Sequence, residues 1–128
     1  MVTEAGAAEL AALKADDDDL RAIRDAWDEL ERVVEAQQGI GAKDDFTFHL
    51  AVARASKNQF FVIALSFMEE QVVFSMNLPL VKTLERQRLV QREHHDIFEA
   101  IRARDSVCAG QAMKSHLGNA LERMFGDE

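Results

Sequence analysis

The chain has 128 residues, enough for one domain with its own core and too few for two. Hydrophobic residues make up 48% and charged residues 30%, an ordinary globular balance, with a net charge of -8. That acidity repels nucleic-acid phosphates, the single cysteine (Cys108) excludes an internal disulfide, and no apolar run reaches the roughly 20 residues of a membrane helix. The opening MVTEAGAAEL has no basic stretch followed by an apolar one, so a cytoplasmic protein without membrane attachment is expected.

One proline, six glycines, no tyrosine and abundant alanine leave long uninterrupted stretches that favour helices. A first helix is predicted over 3–15. It ends at the run Asp16, Asp17, Asp18, Asp19, which lacks the alternating ligands and central glycine of a calcium loop and reads instead as a cap on the next helix. The second helix, 18–36, carries Leu20, Ile23, Trp27, Leu30 and Val34 at spacings of 3, 4, 3 and 4, one stripe facing a core, with Trp27 as packing. Gly39 and Gly41 break the chain before a third helix over 43–56, and Lys57 and Asn58 make the next corner. The fourth helix, 58–76, is apolar nearly all round (Phe60, Phe61, Val62, Ile63, Leu65, Phe67, Met68) and needs cover from the bundle or from a partner subunit. Pro79 closes it. A fifth helix follows over 82–103, and Asp105 caps a sixth over 106–125.

Three of the four histidines fall on apolar faces. His94, Ile97, Phe98 and Ile101 follow i, i+3, i+4, i+7, and Ala109, Met113, His116, Ala120 and Met124 form one stripe. Asp45 and His49 stack one turn apart on the third helix, whereas His95, about 100° round from His94, is expected at the rim. Burying three imidazoles costs free energy unless they find partners. Asp45, His49, His94 and His116 would offer one oxygen and three nitrogens to a divalent ion, Zn²⁺ foremost, with Ni²⁺, Mn²⁺ or Fe²⁺ as alternatives. By spacing alone, a buried polar network fits equally well. Glu93 and Asp96 flank His94 on other faces, and Cys108 has no thiolate-stabilising cation beside it, so it is expected to pack rather than react.

The stretch from Asp45 through Phe48 and His49 to Ala55, Ser56 and Asn58 resembles the D-x-x-F-H-x-x-L-A-x-A-S-x-N signature of the FCD domain. That is the effector-binding C-terminal domain of the FadR subfamily of GntR-family bacterial transcription regulators. Glu93, His94, Ile97, Ala100, Ile101 and Asp105 are similar to its E-H-x-x-I-x-x-A-I-x-x-x-D, and Ala109, Met113, His116 and Leu117 to its closing A-x-x-x-M-x-x-H-L. The helix beginning near Glu4 is also similar to that domain's first helix.

The resemblance implies an all-α antiparallel bundle of about six helices around a polar pocket, with a divalent metal on Asp45, His49, His94 and His116. A small organic or sugar acid would bind at that metal. The resemblance also implies a homodimer that meets DNA only through a winged helix-turn-helix domain ahead of this one, to which nothing here corresponds. The chain therefore reads as a fragment of a longer regulator or a free-standing sensor. A pocket arginine common in the family would lie before the first residue, so an incomplete pocket and a fraying first helix are expected. Two competing functions are a metal-dependent hydrolase or hydratase and a metal-free dimerisation scaffold.

Overall fold

The computed structural model describes residues 2–75, 79–81 and 83–125. Six helices follow in order: α1 (Val2–Lys14), α2 (Asp17–Glu35), α3 (Ala42–Ala55), α4 (Gln59–Ser75), α5 (Leu84–Arg102) and α6 (Ser106–Phe125). The predicted ends at Met76 and Lys82, and the side chain of Met124, lie outside the described residues.

The helix boundaries follow from local chemistry. Asp16 caps α2 by accepting from Asp19 N at 2.8 Å, while Asp16 N donates to the Asp19 side chain at 2.9 Å, a reciprocal cap. Lys57, in the left-handed region at the end of α3 (φ 60), reaches Asp19 at 2.6 Å and ties this cap to the α3–α4 corner. Thr83 caps α5 and Asp105 caps α6, accepting from Arg86 N at 3.2 Å and Cys108 N at 3.1 Å.

A short antiparallel ladder was not foreseen. Strand β1 (Ile40–Gly41) pairs with β2 (Pro79–Val81), Ile40 opposite Val81 and Gly41 opposite Pro79. Pro79 thus opens a strand, a position that tolerates its missing N–H. Ile40 is fully buried, which anchors this turn of chain to the core.

Helix α1 packs most extensively on α6 and also on α3 and α5, α5 lies between α6 and α2, and α3 contacts α2 and α4. The three-residue connections α3–α4 and α5–α6 make those neighbours antiparallel. Contrary to the expected fraying, α1 is helical from Val2 and docks by a face of small residues, Ala5, Ala8, Ala11 and Ala12 among them, all buried. The approach is close: a Cβ on Gly110 of α6 would stand 2.5 Å from the Glu9 carboxylate of α1. The core closes around Ile23, Leu30, Phe48, Ile97, Ile101 and Met113, with Trp27 half-buried against it and its Nε1–H donating to the Gln91 carbonyl at 2.9 Å.

Candidate metal centre

The helical stripes bring the four expected residues together. Asp45 and His49 come from α3, His94 from α5 and His116 from α6, and one donor atom of each lies within 4.8 Å of the others. The separations are 3.4 Å from His49 Nε2 to Asp45 Oδ2, 3.1 Å from His94 Nε2 to Asp45 Oδ1, and 3.4 Å between the Nε2 atoms of His116 and His49. Two donors on one cation at zinc-like bond lengths stand about 2.9 Å apart at a right angle and about 3.4 Å apart at a tetrahedral angle. The residues fit a divalent ion.

The outer ring nitrogens explain the inward ones. His94 Nδ1–H donates to Gln91 Oε1 at 3.1 Å and His116 Nδ1–H to Glu93 Oε1 at 2.7 Å, while His49 Nδ1 faces Glu4 Oε1 at 2.8 Å. Each partner is an acceptor, which assigns the proton to Nδ1 and turns the Nε2 lone pairs of His94 and His116 to the centre. His94 Nε2 is buried and makes no hydrogen bond, an orphaned acceptor of the kind a cation answers. The ring of His94 is further fixed by Phe48, stacked at 4.3 Å between centroids and 22° between planes.

The charges are strongly coupled. Burial pushes the Asp45 carboxyl up, but the neighbouring His49 and His94 outweigh it and hold it well below the usual carboxylate range. Burial pulls His49 down, yet Asp45 and Glu4 on its two sides raise it well above the ordinary histidine value. His94 has no such excess; burial dominates and pulls it to about 4, so it is neutral. Glu93 is pushed up by burial but pulled to about 2 by hydrogen bonds from His116, Arg123 and Asn119, the last at 3.0 Å. Arg123 completes this hub with donors at 2.9 and 3.2 Å.

Glu4, Gln91 and Glu93 were missed as site residues by sequence reasoning. Glu93, expected on a face unrelated to the site, points across to α6 and holds His116. A spacing signal existed only for Gln91, which precedes His94 by three residues on the same buried face. His95 is exposed at the rim, 3.7 Å from Glu99, as expected. Cys108 is exposed rather than packed, and Asp105 beside it raises the thiol further from its reactive form. A small cavity of ≈ 10 Å³, room for about one water, touches the site through Glu4 and His49 and is otherwise walled largely by Val52, Leu65, Phe61 and Met113. An open groove of ≈ 330 Å³ includes Glu93 and the buried His116 in its lining.

The chain matches the FCD domain family over residues 2–119. It is 34% identical over 127 residues to the HTH-type transcriptional regulator LutR of Bacillus subtilis (strain 168), an alignment covering 96% of this chain and 58% of that protein. The chain thus spans little more than half the length of the curated relative it matches.

Proposed function

Because the chain belongs to the FCD domain family, we propose that it is the sensing part of a transcription regulator, holding a divalent cation on Asp45, His49, His94 and His116 and binding a small organic or sugar acid there. The observation that carries this reading is the convergence of three imidazole Nε2 atoms and a carboxylate, with the outer ring nitrogens of His94 and His116 hydrogen-bonded and that of His49 2.8 Å from the Glu4 carboxylate. A bound cation would supply positive charge and exchangeable positions for a carboxylate ligand. Three nitrogens and one oxygen suit Zn²⁺ first and accommodate Ni²⁺, Mn²⁺ or Fe²⁺.

The site is also wired to the bundle. Glu4 ties His49 to α1, Gln91 ties His94 to α2, and Glu93 with Arg123 ties His116 to the far end of α6. A ligand that favours one arrangement of these helices would shift their packing. In the complete regulator that shift would reach a separate N-terminal winged helix-turn-helix domain, since a chain of net charge -8 is itself unsuited to DNA. The name of the B. subtilis relative and the 58% of its length that this chain spans support this division of labour. The reading includes a cytoplasmic homodimer; among the described residues no helix is long and apolar enough to cross a membrane.

Hydrolysis or hydration is the weaker reading, because a metal-bound water needs a free base and the nearby carboxylates Glu4 and Glu93 are committed to imidazoles. A metal-free scaffold leaves the His94 Nε2 acceptor unanswered.

The test is the metal content of tag-free protein by plasma mass spectrometry beside a His116→Ala variant. About one equivalent in the parent and little in the variant is expected. Saturation at 1,000 times the dissociation constant then adds about 4 kcal/mol of stability, read as a melting shift that chelator reverses. No metal in either protein after incubation with Zn²⁺, Ni²⁺ and Mn²⁺ would overturn the site. A panel of carboxylates giving no saturable shift on the loaded protein would overturn the sensor.

A further inference from the structure

We propose that Gln91 is the positioning residue for His94, holding the imidazole in its ligating tautomer by anchoring it to α2; the ligand role of His94 rests on the metal reading above. Gln91 lies one turn before His94 on α5 and is buried. Its amide oxygen accepts from His94 Nδ1–H at 3.1 Å. Its amide nitrogen donates to the Trp27 carbonyl at 3.1 Å and to Glu31 Oε1 at 3.0 Å. Both of those acceptors belong to α2, so a flipped amide would set its oxygen against two other oxygens. The amide orientation is therefore settled by α2, and with it the nitrogen of His94 that carries the proton.

Among side chains of this length, only the neutral amide meets both demands. A carboxylate at this position would accept from His94 but could not donate to Trp27 or Glu31, and a lysine would donate without accepting. The neutral amide also adds no charge to a site that already holds Asp45, Glu4 and Glu93. His49 and His116 differ, because their Nδ1 partners are carboxylates that attract a proton whatever α2 does. His94 is the ligand whose readiness depends on the α2–α5 contact, which makes that contact part of the metal site.

Two readouts test this on the whole chain. In metal-free protein, long-range ¹⁵N–¹H spectra report which ring nitrogen of His94 bears the proton; in titrations against a chromophoric chelator, Zn²⁺ affinity is measured directly. Gln91→Met keeps the volume and removes the acceptor. It is expected to move His94 to a mixture of tautomers and to weaken Zn²⁺ binding by about 10- to 100-fold. Ile101→Val, buried on the same helix beyond the site, is expected to lower the melting temperature without moving either readout. Should Gln91→Met not fold, Glu31→Ala removes one of the two amide anchors and is expected to shift both readouts the same way by less. An unchanged Nδ1–H tautomer and parent-like Zn²⁺ affinity in these variants would overturn the proposal. A parent that takes up no Zn²⁺ would overturn the metal reading and with it the ligand role of His94, while the tautomer spectra still decide whether Gln91 anchors the ring.

Discussion

The space between α3, α5 and α6 is polar and closed, whereas the outer face of α4 is apolar and open. His94 is fully buried, yet Phe60, Ile63 and Phe67 are 63, 60 and 64% exposed. The contrast shows that residue type does not decide what goes inside. Imidazoles stay buried because carboxylates, an amide and a stacked phenyl ring meet their edges and faces; an unmet polar atom would be costly. The α4 phenyl rings stay outside because α3 and α1 have already been covered by the other face, where Leu65 is buried and Phe61 packs 3.4 Å from the Cβ position of Gly6. An exposed apolar face of this kind is where association with another surface is tested first.

The largest effect that would test the contrast is at Phe48. Phe48→Ala is expected to cost about 3–5 kcal/mol in denaturant melts, because it empties the core and uncovers the His94 ring. Phe67→Ala, the same deletion on the open face, is expected to change monomer stability by no more than about 0.5 kcal/mol. Equal costs would erase the distinction between the two regions.

Acid tests the closed region next. His94 takes its proton near pH 4 when folded and near 6.5 when unfolded. Its depressed value contributes stability above pH 6.5 that is lost as pH falls through about 4, on the order of 3 kcal/mol in metal-free protein. His49 has the opposite sign: its raised value stabilises below pH 6.5 and fades as pH climbs through its folded value. Urea melts across this range are expected to show the acid loss, and a flat profile between pH 6.5 and 4 would contradict a buried neutral His94.

Glu93→Leu is a smaller cut. It leaves His116 Nδ1–H and the Arg123 guanidinium without their shared acceptor and is expected to cost about 2 kcal/mol in the same melts. Smallest in folding terms is Phe67→Glu, which is expected to leave the monomer's melting temperature nearly unchanged while lowering the mass seen in sedimentation. An unchanged mass would place any dimer contact elsewhere. Phe61, on the same all-round apolar helix, is no test of that interface, since it lines the cavity beside Glu4.

The sequence by itself determined the six helices, the capping role of the acidic run at 16–19 and of Asp105, and the helix faces that carry Asp45, His49, His94 and His116. These follow from spacing within single helices: Asp45 and His49 are four apart, and His94 and His116 sit on apolar stripes, so each residue's face is a local property. The FCD family signatures in the same stretches identified the bundle. The partners of those donors were decided by tertiary structure. Glu4 meets His49 only because α1 lies on α3, Glu93 meets His116 only because α6 packs where that face of α5 points, and Gln91 is oriented by a carbonyl of α2. The Ile40–Val81 ladder joins chain segments separated by two whole helices, α3 and α4. The physical reason is the same in each case. A helix's own period states which way a side chain points, but the rotation and separation of neighbouring helices, set by how alanine and glycine faces let them approach, determine what it meets there.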